Sequence, residues 1–102
     1  MKTGTVVKLK VNCLGNKPGT IGVCYEEYNL GEPGAGSVIF ENGNYDGFSP
    51  DEQEQFLVKI GFDYNVANYQ FTNVFKLSTD FENGIFNNVF KSITYRTKII
   101  WK

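Results

Sequence analysis

Apolar and polar residues alternate in two segments near the start of the chain. The first segment covers residues 7–13 and the second covers residues 21–26. A period of two is typical of a strand that buries one face. The chain therefore begins with two predicted strands, which the turn-rich loop 14–20 connects. Their apolar positions are Val7, Leu9, Val11, Cys13, Ile21, Val23 and Tyr25.

A hairpin is predicted after a second glycine-rich loop, residues 29–36. Asn42-Gly43 suits a two-residue type I′ turn, because both central positions of that turn need positive φ. Apolar residues flank this dipeptide on both sides, as expected for two paired strands. The register of such a turn pairs Phe40 with Tyr45.

A helix over residues 50–60 is predicted to follow the hairpin. Ser49 is its expected N-cap, Pro50 suits the first helical position, and Ser49 forms a capping box with Glu52. Gly61 is the expected C-terminal stop. The apolar stripe is narrow, which favours packing against a sheet, and it consists of Phe56, Leu57 and Ile60.

The second half of the chain contains nearly the same hexamer twice, FTNVFK at 71–76 and FNNVFK at 86–91. This offset of 15 residues is shorter than the roughly 20–50 residues of structural repeats. We interpret the similarity as coincidence in a chain rich in Phe and Asn. The first copy is predicted to lie in a strand over 69–77 and the second in a short helical turn. The Phe residues of both copies are predicted to be core.

The C-terminal segment YRTKIIWK has apolar residues at alternate positions, which predicts a strand over 95–101. Ile99, Ile100 and Trp101 are costly to leave in water. The strand is therefore expected either to complete the core of a monomer or to add to a sheet edge of a second subunit in a homodimer.

Length and composition indicate one globular domain over residues 1–102. Hydrophobic residues make up 41% of the chain and aromatic residues 16%, which is enough for a core. No segment approaches the roughly 20 apolar residues of a membrane helix, and the start lacks the apolar run of a signal peptide. We expect a cytoplasmic protein with no membrane partner. The abundance of Asn, Lys, Phe and Ile is typical of an A/T-rich genome and favours a bacterial or phage source.

The residue types and motifs present exclude several common kinds of catalytic, metal and nucleotide site. The chain has no His, which removes the commonest general base and most zinc sites. Neither nucleotide-binding glycine motif is present. Cys13 and Cys24 lack the spacing of a metal site and are predicted to be reduced thiols, with one bridge between neighbouring strands as the alternative. We predict a protein that is not an enzyme and holds no cofactor or metal.

Within residues 6–28, a loop with Gly15, Lys17 and Gly19 leads into a second strand through Ile21, Gly22 and Val23. This segment resembles the start of KOW-type and other SH3-like small barrels. Those domains begin with a strand, a loop containing Gly and Lys, and a G-x-[IV]-G-x-V entry into a second strand. The resemblance implies a mainly β, SH3-like barrel of about five strands, here with one short helix and a C-terminal strand. The matching residues are Gly15, Lys17, Gly19, Ile21, Gly22 and Val23.

Three binding hypotheses follow, and the leading one is an interaction module for an unknown protein partner. Small barrels bind through loops that a stiff core positions, which selects loops 14–20 and 29–36 and, within the first, Asn16 and Lys17. The KOW-like resemblance implies nucleic-acid binding as an alternative, with Lys8 and Lys10 on phosphates and Trp101 stacking on bases.

The third hypothesis rests on the distribution of charge. The net charge is −1, but residues 26–63 carry nine acids and one Lys, whereas residues 1–25 carry four Lys and no acid. An acidic face could occupy the basic site of a partner, as small inhibitor proteins do. The candidate residues for that face include Glu26, Glu27 and Asp46.

Overall fold

The computed structural model describes residues 1–28 and 33–91. Five strands and three helices follow one another along this part of the chain, and residues 87–91 are also helical. The elements are β1 (Thr5–Leu9), β2 (Ile21–Tyr28), β3 (Ala35–Phe40), β4 (Tyr45–Phe48), α1 (Pro50–Phe56), β5 (Leu57–Phe62), α2 (Tyr64–Ala67) and α3 (Val74–Glu82). The prediction of a mainly β domain with about five strands is confirmed.

All five strands pair antiparallel in the order β4-β3-β2-β1-β5. Helix α1 connects the two edge strands and contacts both of them. Within the described residues, β4 and β5 do not pair with each other and the sheet is open. The predicted closed barrel is therefore not shown by this structure.

The two faces of the sheet bury separate cores, because side chains alternate along each strand. The helix-side core joins one face to α2, α3 and residues 87–91, and the α1-side core lies on the other face. The helix-side core contains Val6, Ile21, Val23, Tyr25, Ile39, Val66, Leu77, Phe86, Val89 and Phe90. The α1-side core contains Met1, Val7, Leu9, Cys24, Val38, Phe40, Phe48 and Leu57.

The first predicted strand is too long at its C-terminal end. Strand β1 stops at Leu9, Val11 is exposed, and Cys13 makes only an isolated bridge to Asn16. The chain turns sharply there, with Leu14 at φ 50° and the following glycine also at positive φ. The second strand begins where predicted, at Ile21, and extends to Tyr28.

The β3–β4 hairpin forms at the predicted place but with a different turn. Gly43 has φ 88° and Asn42 does not have positive φ, so a type I′ turn is excluded. Phe40 N–H donates to the Asn44 carbonyl at 2.9 Å, and Tyr45 pairs with Ile39. The loop therefore has three residues, the type in which a single left-handed glycine follows a type I turn. The predicted pairing of Phe40 with Tyr45 is wrong by one position.

Helix α1 begins as predicted and ends early. Both hydrogen bonds of the capping box are present: Glu52 N–H donates to Ser49 Oγ at 3.2 Å and Ser49 N–H donates to Glu52 Oε1 at 3.0 Å. The predicted helix over 50–60 is wrong beyond Phe56, because residues 57–62 form β5 on β1. Gly61 lies inside that strand and is not a helix stop.

We expect the substitution Ser49→Ala to lower the free energy of unfolding by about 1 kcal/mol, because it removes the acceptor for Glu52 N–H. Urea unfolding followed by circular dichroism measures this loss. Ser49→Asn keeps a cap acceptor and should retain most of the stability. Equal stability of the Ala variant and the parent would contradict the assigned role of the cap.

The predicted strand over 69–77 is wrong, since residues 69–73 are not in a strand and residues 74–77 belong to α3. Asn73 caps this helix by accepting a hydrogen bond from Lys76 N–H at 2.9 Å. At the other end Gly84 has φ 85°, its N–H donates to the Phe81 carbonyl, and Ile85 N–H donates to the Asp80 carbonyl. These two bonds form a Schellman motif, which ends the helix.

The two copies of the hexamer both lead into helices but differ in burial. Phe90 is 8% exposed in the helix-side core, whereas Phe75, at the equivalent position of the first copy, is 82% exposed on α3. The prediction that the Phe residues of both copies are core is therefore wrong for Phe75. The predicted C-terminal strand over 95–101, including Trp101, lies outside the described residues.

Candidate functional site

A cleft of about 540 Å³ lies beside α1, on the α1-side core of the sheet. We call it the α1 cleft. Its volume falls within the roughly 300–1,000 Å³ of typical ligand sites. It is lined by Met1, Val7, Lys10, Pro33, Gly34, Pro50, Gln53, Glu54, Leu57 and Lys59.

One wall of the α1 cleft is held in place by a buried amide. Gln53 Nε2 donates to the Gly34 carbonyl at 2.8 Å and to the Phe48 carbonyl at 3.0 Å. Gln53 is the buried residue of α1. Its hydrogen bond to Gly34 joins the helix to the segment before β3. The N-terminal amine of Met1 also donates to the Gly34 carbonyl. Since both donors converge on one carbonyl, the backbone beside Pro33 is well fixed.

The floor of the α1 cleft is apolar and its rim is charged. Val7 and Leu57 are buried below it, whereas Lys10, Glu54 and Lys59 are exposed around it. Lys10 Nζ donates to the Glu54 carbonyl at 2.5 Å, which fixes this ammonium close to α1. Two cations and one carboxylate around an apolar floor suit a ligand with an apolar group next to a negative charge.

The two predicted binding loops lie at opposite ends of β2. Loop 14–20 precedes this strand and the predicted loop 29–36 follows it, although Ala35 and Gly36 belong to β3 and the loop prediction is wrong for these two residues. Since β2 has eight residues, it separates the loops by roughly 26 Å at about 3.3 Å per residue. The described residues of the two loops, 14–20 and 33–34, therefore do not form one continuous site. Of these residues, Pro33 and Gly34 line the α1 cleft.

Asn16 has a structural role in the first loop. It is buried, and its Nδ2 donates to the Leu14 carbonyl at 3.4 Å and to Asn42 Oδ1 at 3.3 Å. Asn44 Nδ2 donates to the same Leu14 carbonyl at 2.7 Å. These bonds attach loop 14–20 to the β3–β4 turn. Lys17 stays exposed beside them.

The candidate lysines in β1 and after it occupy different environments. Lys10 lines the α1 cleft, whereas Lys8 is half-buried within the sheet, opposite Ile21 on one side and Val58 on the other. Lys17 is exposed in loop 14–20. These three lysines therefore do not share one described surface in the manner of a phosphate-binding stripe.

The candidate residues of the acidic face also lie apart from one another in the structure. Glu26 lies opposite Ser37, and Asp46 lies opposite Val38. Ser37 and Val38 are consecutive residues of β3, so their side chains and those of their partners point to opposite faces. Glu27 is exposed at the next position of β2, opposite Gly36. The structure does not bring Glu26 and Asp46 together on one acidic face.

Neither cysteine has the features of a nucleophile. Cys24 is fully buried, and burial raises the pKa of its thiol to about 11. Its Sγ donates to the Glu26 carbonyl at 3.3 Å. Burial, with Asp46 and Glu52 nearby, also raises the pKa of Cys13. Both residues are free thiols, whereas a reactive cysteine needs a lowered pKa.

We expect a thiol reagent at pH 8 to modify Cys13 at least about 100-fold faster than Cys24, because only about one Cys24 in a thousand is a thiolate at that pH and the sulfur is shielded. Reaction with Ellman's reagent followed at 412 nm measures both rates. Cys13→Ser should leave only the slow phase. Two fast thiols in the folded protein would contradict the burial of Cys24.

One further polar cluster connects α3 to the segment that precedes it. Asp80 Oδ2 accepts hydrogen bonds from Lys76 Nζ at 2.5 Å and from the Tyr69 hydroxyl at 3.1 Å. The Lys76 ammonium holds the pKa of Asp80 below its usual value, and burial raises the pKa of Tyr69 to about 12. Each polar group has a partner, so we assign the cluster a structural role.

Sequence reasoning found Lys10 and the loop around Pro33 but missed Gln53 and Lys59. Lys59 carried a detectable signal, because it is the one cation among the nine acids of residues 26–63. Gln53 could not be found in this way, because its importance comes from a hydrogen bond to the Gly34 carbonyl, 19 residues earlier in the sequence.

Comparisons with known proteins do not add a functional assignment. No protein-family model matches the chain, and no curated protein or solved structure is significantly similar to it. In residues 1–28 and 33–91, no group of three or more Cys, Asp or Glu side chains is placed to hold a metal ion. None of the helices in that same part of the chain has the length and apolar character needed to cross a membrane.

Proposed function

We propose that this protein is a non-enzymatic interaction module on an SH3-like small barrel, and that a protein partner binds at the α1 cleft and the adjoining loop 29–36. The observation that carries the proposal is the cleft itself, with its apolar floor and charged rim. Support for the barrel comes from α1, which connects the two edge strands of the sheet and contacts both of them.

The chemistry of the rim indicates which partner segment fits. Val7 and Leu57 offer a floor for one apolar side chain, and the ammonium groups of Lys10 and Lys59 stand beside it. A partner segment with an apolar residue next to Asp or Glu would satisfy both features. Because Lys59 is exposed and lies at the rim, its charge can be changed without disturbing the core.

Capture of partners from a lysate of the source organism tests the proposal when matched variants are compared. Lys59→Glu changes the rim of the α1 cleft, and Lys17→Glu makes the same charge change at loop 14–20. We expect Lys59→Glu to reduce recovery of the captured protein at least about tenfold, which corresponds to about 1.4 kcal/mol. Lys17→Glu should leave recovery unchanged.

The other outcomes of this experiment distinguish the alternatives. Loss of capture in Lys17→Glu alone would move the site to loop 14–20 and overturn the assignment to the cleft. Capture that disappears after nuclease treatment, and that falls steeply with salt, would favour the nucleic-acid alternative. Thermal melting of each variant verifies that both remain folded.

A further inference from the structure

The tetrapeptide Phe-Glu-Asn-Gly occurs twice in the chain, at residues 40–43 and 81–84. In both copies the glycine has positive φ, 88° at Gly43 and 85° at Gly84. The glycine N–H donates to the carbonyl of the phenylalanine in each copy, at 2.8 Å in the first and at 3.0 Å in the second. The two copies therefore share a sequence and a backbone turn, although one belongs to the β3–β4 hairpin and the other ends α3.

Asparagine followed by glycine can undergo a spontaneous ring closure, because glycine has no Cβ to hinder it. The glycine nitrogen attacks the side-chain carbonyl carbon of the asparagine and forms a succinimide ring. The bond from that carbon to the side-chain nitrogen breaks, and the nitrogen leaves as ammonia with the proton from the glycine N–H. Water then opens the ring at either carbonyl, which gives aspartate or isoaspartate. The reaction requires an asparagine side chain that is free to turn towards the glycine nitrogen.

The side chain of Asn42, in the first copy, is fixed by two hydrogen bonds. Its Oδ1 accepts from Asn44 N–H at 3.0 Å and from Asn16 Nδ2 at 3.3 Å. The Phe81 ring also covers Gly43, because a Cβ at this glycine would lie 3.2 Å from Phe81 Cε1. Ring closure at Asn42 must therefore break both bonds and distort a turn between two paired strands.

The side chain of Asn83, in the second copy, is not restrained in this way. It is exposed, and within residues 1–28 and 33–91 its amide group makes no hydrogen bond. A Cβ at Gly84 would meet the amide of Asn87, which is the end of a flexible side chain and not a packed ring. Asn83 is also the C-cap of α3, and helix ends open locally at little cost.

We propose that Asn83 is a site of spontaneous deamidation in the folded protein, whereas Asn42 is protected. The modification places a carboxylate at the C-terminal end of α3, where the helix dipole disfavours negative charge. Isoaspartate also lengthens the backbone within the turn that ends this helix. Both products therefore weaken the end of α3, beside the aromatic side chains of Phe81 and Phe86.

Peptide mapping by mass spectrometry, after incubation of the folded protein at mildly alkaline pH, tests the proposal. Trypsin separates the two sites, because Lys59 and Lys76 lie between them. We expect Asn83 to react at least about tenfold faster than Asn42, since two side-chain hydrogen bonds must break at Asn42 alone. Asn83→Gln should remove the fast site and leave the rate at Asn42 unchanged.

The unfolded chain supplies the matched control. In guanidinium chloride both asparagines lie in the same tetrapeptide without tertiary contacts, so the two rates should be nearly equal. Equal rates in the folded protein, or a faster reaction at Asn42, would overturn the proposal. So would an unmodified Asn83 in the folded protein after a period in which the unfolded chain has reacted, because the end of α3 would then not open enough for ring closure.

Discussion

Replacing Phe90 by Ala is expected to lower the free energy of unfolding by about 3–5 kcal/mol, the usual cost of removing a buried Phe from a core. Phe90 packs in the helix-side core beside Phe81 and Phe86, with ring centroids 6.1 and 6.5 Å away. The loss leaves a cavity among aromatic rings that belong to different segments. Urea unfolding of the purified variant measures the effect.

The repeated hexamer supplies a matched control for this prediction. Phe75 occupies the position in the first copy that Phe90 occupies in the second, with the same residues before and after it. Because its side chain is exposed, Phe75→Ala should change stability by less than about 0.5 kcal/mol. Equal costs at the two positions would contradict the assigned packing of α3 and of residues 87–91.

The substitution Gly22→Ala is expected to destabilise the protein by about 3 kcal/mol. A Cβ at Gly22 would lie 2.7 Å from Phe40 Cδ1 and 2.7 Å from Val38 Cγ1, closer than carbon atoms can approach. Both neighbours belong to the α1-side core. To remove this steric overlap, a packed aromatic ring or β2 must shift. Overpacking of this kind costs about 1–3 kcal/mol, at times more.

Gly61 provides the comparison, because it is also a strand glycine. A Cβ at Gly61 would meet Val6 Cβ at 3.9 Å, an ordinary contact. Gly61→Ala should therefore leave stability within about 0.5 kcal/mol of the parent. Thermal melts of both variants, supported by urea unfolding, measure the difference. A tolerated Gly22→Ala would mean that Phe40 does not lie over β2.

The parts of the fold that the sequence predicts well are those determined by local chemistry. The cap at Ser49 is one example, because its two hydrogen bonds involve residues three positions apart. The start of β2 and the location of the β3–β4 hairpin are others. The hairpin register was misjudged by one residue, since Asn42-Gly43 is compatible with turns of two or three residues.

The wrong secondary-structure predictions concern segments whose apolar residues fit both the helical period and the strand period. Residues 56–60 have apolar side chains at helical spacing, yet Val58, Ile60 and Phe62 alternate as in a strand. These residues form a strand because they pair with β1. The pairing partner is distant in sequence and cannot be recognised from the local sequence. Around residues 73–77 the reverse holds, because the cap at Asn73 outweighs an apparent alternation of Phe75 and Leu77.

The candidate site was predictable only in part for the same reason. Loop 29–36 and Lys10 carry composition signals that can be recognised without a structure. The α1 cleft arises because Gln53 bonds to carbonyls of Gly34 and Phe48, which places the helix over the sheet. Long-range contacts of this type depend on the complete fold.

The role of the α1 cleft is tested most directly by hydrogen–deuterium exchange of the protein with and without the captured partner. We expect slower exchange in α1 and in the first residues of β5 when the partner is bound, with loop 14–20 unchanged. Slower exchange in loop 14–20, with α1 and β5 unaffected, would contradict the assignment of the binding site to the α1 cleft.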